Sequence, residues 1–237
     1  MVQRNDLNMD HLTHYYLNAM GIQAWRLNTP LNPSVPAMTD EWHALQMTVA
    51  NCTACDLCQT RTQTVFGVGH PQAKLMLIGE APGFYEDQQG KPFVGRAGQL
   101  LNAMLESIGL TRDAVYIANI LKCRPPNNRD PLPDEVAHCT PFLMKQIALI
   151  KPALLLALGR IAGHFLLETH AALGTLRGKV HAFGEEKIPL IVTYHPAYLL
   201  RNPADKSKAW QDLQAVHHHL SISNTPSRLS PIKKHNS

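Results

Sequence analysis

Four cysteines in two separated pairs, Cys52/Cys55 and Cys123/Cys139, are the first residues in this 237-residue chain whose spacing points to chemistry. C-x2-C puts two thiolates one short turn apart, and two distant cysteines close the site from another part of the fold. Zinc and a [4Fe–4S] cluster both accept four thiolates, so spacing leaves the two open. A fifth cysteine, Cys58, reads as a small buried hydrophobe, although Cys55-x2-Cys58 is an equally good ligand turn. Between the pairs lies Gly79-Glu80-Ala81-Pro82-Gly83. Its glycines let backbone approach a ligand and Pro82 stiffens the turn, while Glu80, Glu86 and Asp87 supply carboxylates. Phe93 falls in the loop Gly90–Gly95, outside any core periodicity, either as a local plug or as a stacking platform for a planar ligand. His195 begins where the apolar run Ile191–Tyr194 stops, and Pro196 locks it there. Leu199 and Leu200 follow in an expected loop beside Arg201, as ordinary core or as a wedge that enters a base stack.

These residues need a scaffold that brings them together. Strand-like runs at Leu75–Ile78, Val115–Leu121, Leu154–Leu158 and Pro189–Tyr194 alternate with helical patterns at Ala97–Ile108, Pro133–Ile150, Arg160–Glu168 and Pro203–His219. Near-continuous apolar strands separated by helices predict an α/β fold, a mostly parallel four-stranded sheet covered on both faces. Sites in such sheets form outside the carboxyl ends of the strands, where GEAPG, the segment Asn119–Arg124 and His195-Pro196 all fall. Residues 46–220 are read as the domain, 1–45 as an extension with a short helix and a Pro-containing linker, and 221–237 as a disordered basic tail. One compact domain predicts a monomer.

The formal net charge is +4, with about +3 on residues 51–220, which is compatible with a phosphate-backbone partner without requiring one. No stretch approaches a membrane span, and the polar start MVQRNDLNMD has no signal-peptide apolar region. A cytoplasmic protein is therefore expected, where reduced thiols favour metal ligation over disulfides.

The segments NCTACDLCQTRTQTVFGVGHPQAKLMLIGEAPG, EDQQGKPFVGRAGQLLNAML, YIANILKCRPPNNRDPLPDE and TYHPAYLLRNP together resemble the family 4, iron–sulfur uracil-DNA glycosylases, in order and over roughly residues 50–215. The resemblance implies a three-layer α/β/α sandwich, a [4Fe–4S] cluster and removal of uracil from DNA in base excision repair. Residue by residue, it places Cys52, Cys55, Cys123 and Cys139 as cluster ligands and Phe93 as the ring that stacks on the flipped uracil. Asn119 would read the polar edge of the base, and His195 would lie near uracil O2. Glu80, Ala81 and Gly83 would line the pocket, with Glu86 as a pocket carboxylate.

The residue types suit that chemistry. Extruding a base calls for a stacking face, a group that pairs with the base edge, and a wedge. An asparagine amide offers donor and acceptor to uracil O4 and N3–H, and cytosine presents the opposite pattern. A histidine donor stabilises the charge that develops at O2. Glu80 or Glu86 is expected to assist the attacking water or the sugar cation. Lys122, Arg124, Arg129, Arg201 and Leu199 are expected to contact DNA, the first three from a loop that the cluster ties down. A non-catalytic iron–sulfur DNA-binding or replication-accessory module is the alternative. Residues 9–30 are similar to a clamp-loader-binding peptide of a replicative polymerase subunit, which predicts a clamp-loader contact.

Overall fold

Leu75–Gly79 (β2) reads LMLIG with every side chain buried, and its neighbours in space are equally apolar. The computed structural model describes residues 40–222. In it, β2 pairs in parallel with Tyr116–Asn119 (β3) on one side and Leu154–Leu158 (β4) on the other, and β4 pairs in parallel with Ile188–Thr193 (β6). Alternate residues of each strand enter opposite cores. Met76, Ile78, Ala118, Leu155, Ala157, Leu190 and Val192 face one, while Leu75, Leu77, Ile117, Leu154, Leu156 and Ile191 face the other. Helices Asp40–Ala50 (α1), Pro133–Ile150 (α5) and Arg160–Leu167 (α6) cover the first face, and Arg96–Glu106 (α4) and Lys206–Ile222 (α9) cover the second. This is the expected three-layer α/β/α arrangement.

Two antiparallel edge strands, Val68–Gly69 (β1) on β3 and Val180–Phe183 (β5) on β6, extend the four expected strands to six, in the order β1-β3-β2-β4-β6-β5. Neither edge strand has a buried apolar run, so neither shows in the sequence pattern. Helix α1 spans the boundary placed between residues 45 and 46. Its Trp42 packs edge-on against Phe66 and Tyr116, with ring centroids 5.3 and 5.4 Å away. The helix expected from Pro203 opens as a 3-10 turn, Pro203–Asp205, before α9. The clamp-loader segment 9–30, the linker and the residues after 222 lie outside the described residues. None of the described helices is long and apolar enough to cross a membrane.

From β2 the chain passes to β3 on one side and then returns to β4 on the other, so the order reverses beside β2. A crevice opens at such a reversal, outside the carboxyl ends. The carboxyl end of β6 is fixed from α9. Asp212 is fully buried and accepts hydrogen bonds from Thr193 Oγ1 at 2.8 Å, Arg177 Nη2 at 3.0 Å and the Gly178 N–H at 3.2 Å.

Candidate functional site

The strand ends meet around a cavity of about 470 Å³ lined by Glu80, Ala81, Gly83, Glu86, Phe93, Asn119, His195 and Arg201 among others. Asn119 ends β3 opposite Gly79, the last residue of β2. A Cβ on Gly79 would lie 2.4 Å from Asn119 Oδ1 and 2.9 Å from the Phe93 ring. Only glycine therefore lets the amide and the ring share this corner. Asn119 Oδ1 is buried and accepts no hydrogen bond from any described residue. A buried acceptor without a partner is costly, so this atom is set up for a donor that arrives with a ligand.

Phe93 sits in the left-handed region at φ 52°, and its loop is held from two sides. Arg112 donates to the carbonyls of Pro92 and Phe93. Glu86 Oε1 accepts from the N–H groups of Val94 at 2.9 Å and Gly95 at 3.2 Å. One oxygen of Glu86 is thus committed to positioning the ring, whereas the Glu80 carboxylate makes no hydrogen bond with any described residue. Burial pushes the Glu80 carboxyl up to about 7, with Asp130 adding to the rise and Arg160 opposing it.

His195 is the N-cap of Pro196–Arg201 (α8), and its Nδ1 accepts the Ala197 N–H at 3.1 Å. Nδ1 therefore carries no proton, and the neutral ring presents Nε2–H as a donor. Burial, followed by the charge of Arg201, pushes this imidazole down to about 4, against an opposing effect of Glu86. The ring lies 5.5 Å from the Phe93 ring between centroids. A Cβ on Gly159, which has φ +95°, would lie 2.8 Å from His195 Cβ, so this glycine gives the histidine its place.

The thiols gather elsewhere. Cys52, Cys55, Cys123 and Cys139 all line one small cavity, and Cys58 is not among its lining residues. No described cysteine forms a disulfide. Arg61, which the sequence reading passed over, donates from Nη1 to Cys123 Sγ at 3.1 Å and from Nη2 to the Cys52 carbonyl at 2.7 Å. The next residue, Thr62, donates its N–H to both carboxylate oxygens of the buried Asp87, at 2.9 and 3.1 Å. Asp87 lies on Phe84–Gln89 (α3), so the thiol cavity and the active-site loop are tied together. Burial pushes the Cys55 and Cys123 thiols up and Cys139 up to about 11. A metal that binds such thiols displaces the proton, because the thiolate is the ligand form. Among the described residues no three His, Cys, Asp or Glu side chains converge as the ligands of a single metal ion do.

Two expected DNA contacts are corrected. Lys122 is 1% exposed, and its Nζ donates to the Asn119 carbonyl at 2.8 Å and to Gln146 Oε1 at 2.7 Å. It props the strand end that carries Asn119 and cannot reach a phosphate. Leu199 is also 1% exposed, because the expected loop is the short helix α8, which turns it into the same buried cluster as Leu101 and Leu105. It is no wedge. Arg129 forms a two-pronged ion pair with Glu135, at 2.9 and 2.5 Å, and Arg124 donates to Asn128 Oδ1 at 2.7 Å. Arg201 is exposed at the cavity rim.

Comparison with known proteins finds a family and several relatives similar to this chain. The family model for the uracil DNA glycosylase superfamily matches residues 66–214. A type-4 uracil-DNA glycosylase of Archaeoglobus fulgidus is 42% identical over 174 residues, covering 71% of this chain and 87% of that protein. One from Thermotoga maritima is 44% identical over 160 residues, 67% of this chain and 82% of that protein. A type-5 uracil-DNA glycosylase of Thermus thermophilus is 33% identical over 132 residues, 49% of this chain and 58% of that protein.

Proposed function

Because this chain belongs to the uracil-DNA glycosylase superfamily, we propose that it takes uracil out of the DNA stack, hydrolyses the N-glycosidic bond and leaves an abasic site for base excision repair. It is a hydrolase of N-glycosyl bonds. The observation that carries the reading at this site is Asn119 Oδ1, an acceptor without a partner among the described residues, buried beside Phe93 in the cavity. Uracil N3–H supplies the missing donor, and the amide NH2 of Asn119 answers O4. Cytosine offers an acceptor and a donor at those two positions and is refused.

The remaining residues take roles that follow from their surroundings. Phe93 stacks on the extruded ring. Bond breaking sends electrons onto uracil, largely to O2, and His195 Nε2–H is a neutral donor for that charge. Glu80, when ionised, accepts a proton from the attacking water or steadies the cation at C1′. Glu86 acts at one remove, by holding the backbone that presents Phe93. Arg201 at the rim suits a phosphate of the bound strand.

We read the four thiols as the ligands of a [4Fe–4S] cluster, in line with the type-4 glycosylase relatives. They line one small cavity together, and such a cluster takes one thiolate on each of four irons. When bound, the cluster supplies a structural cross-link between the segment around Cys52 and the loop after β3. Cys52, Cys55, Cys123 and Cys139 would hold it, with Arg61 donating to the Cys123 sulfur. The non-catalytic alternative is not favoured, since the relatives are named as glycosylases. The reading extends to a monomer working on the nucleoid in a bacterial cytoplasm, where a DNA substrate lies.

Single-turnover release of uracil from a uracil-containing oligonucleotide tests it, with Asn119→Ala and His195→Ala for comparison. Release that collapses in both variants is the expected result. No release from single- or double-stranded substrate by iron-loaded protein would overturn the reading. Iron and sulfide analysis of the purified protein tests the cluster separately.

A further inference from the structure

Phe84 and Tyr85 are large apolar side chains left in solvent, 50% and 61% exposed, and they are the one adjacent pair of this kind among the described residues. Sequence patterning gives no reason for them, since burial would be the default for such residues. Their neighbours on both sides, Gly83 and Glu86, line the base cavity, while the two rings are exposed and form no part of its wall. The rings meet edge to face, with centroids 5.5 Å apart and planes at 81°. The Arg124 guanidinium lies over the Phe84 ring at 5.0 Å, and its Nε is tied to Asn128, which also lines the cavity. On the other side Tyr85 packs near Gly95, in the loop that presents Phe93, leaving 3.4 Å to a Cβ placed there. The pair therefore adjoins residues that line the base cavity and lies against the positive charge of Arg124.

We propose that Phe84 and Tyr85 form a second stacking platform, which receives the base next to the flipped uracil on the same DNA strand. The inference rests on the uracil-DNA glycosylase reading of the cavity. A uracil inside the cavity is still joined to its neighbours through the backbone, so the adjacent nucleotide must lie at the rim. Extruding the uracil takes away that neighbour's stacking partner. An aromatic face restores the lost stack for any base, because every base has a π face. Arg124 adds cation–π support from beneath and charge for the intervening phosphate. Lys122 and Leu199 are buried, so they supply neither charge nor wedge, and the platform fills the role of holding the distorted strand.

The experiment is a cycle on iron-loaded full-length protein. Uracil oligonucleotides are prepared with normal neighbours, or with a tetrahydrofuran abasic residue on the 5′ or the 3′ side of the uracil. Half-saturating concentration and single-turnover rate are measured for the parent, Phe84→Ala, Tyr85→Ala, the double variant and Tyr85→Phe. The parent should bind one of the two abasic-flanked substrates about fivefold or more weaker than the normal one. The double variant should lose that preference, bind the normal substrate as weakly as the parent binds the abasic-flanked one, and keep the parent's melting temperature. Tyr85→Phe should retain the preference. A parent indifferent to both flanks, or a double variant that keeps the preference, would overturn the platform. Uracil release in all arms would leave the glycosylase reading standing, and release in none would bring that reading down instead.

Discussion

Replacing Asn119 by leucine separates what this side chain does for the reaction from what it does for the fold. Leucine is close in size but offers no donor or acceptor. In the bound state it leaves uracil N3–H and O4 unpaired in a water-poor cavity, at about 1–3 kcal/mol each. A total of about 4 kcal/mol is about 10³-fold in single-turnover rate. In the free protein the change runs the other way. Asn119 Oδ1 is buried without a donor from any described residue, so removing it returns about 1–3 kcal/mol. The altered shape takes back up to about 1.5 kcal/mol. Asn119→Leu should therefore lie between about 0.5 kcal/mol less stable and about 3 kcal/mol more stable than the parent, which is at most several degrees in Tm for a chain of this size. The assay pairs thermal unfolding of the iron-loaded protein with uracil release under single-turnover conditions. A Tm drop beyond about 4 °C would mean that Oδ1 has a structural partner, and a rate within tenfold of the parent would mean that Asn119 does not read the base.

The uracil-release rate should climb about tenfold per pH unit up to about pH 7 and then level off. A Glu80 carboxyl raised to about 7 is protonated below that pH and ionised above it, and the chemistry uses the ionised form; His195, lowered to about 4, stays neutral over pH 5–9 and adds no limb. Glu80→Gln should flatten the profile, and a limb that persists in that variant would reassign it. Glu86→Gln should lose less than tenfold in rate, because the amide oxygen can still accept from Val94 and Gly95, whereas Glu86→Ala should lose about 10–100-fold; equal losses in kinetic assays of both would point to a direct catalytic role. Arg201→Ala should lower the slope of log affinity against log salt by about one, and Lys122→Met should leave it unchanged. A binding titration over a salt series measures both slopes, and a lower slope in Lys122→Met would contradict its burial.

The four parallel strands were legible because each is an unbroken apolar run, and the pocket because three motifs fall at the strand ends. What escaped depended on contacts distant in sequence. Lys122 reads as a DNA-facing cation until Gln146, on the far helix, is seen to take its proton donors into the core. Leu199 reads as a loop residue, although Pro196 at the first helical position was the local signal for a helix. C-x2-C spacing treats Cys55-x2-Cys58 as equal to Cys52-x2-Cys55, and only the folded chain leaves Cys58 out of the cavity wall. Arg61 and the exposed ring pair lack any motif of their own.

The place of Asp212 in the chain also sets the order in which the pocket can be assembled during synthesis. Glu80, Phe93 and Asn119 are all synthesised well before His195, whose strand is inserted between β4 and β5 and anchored by a carboxylate nineteen residues beyond Thr193. Translation runs from the amino terminus, and domains fold as units. Three walls of the pocket thus leave the ribosome ahead of the fourth, and the hydrogen bond from Thr193 to Asp212 that fixes the end of β6 forms only once the last described helix has been made.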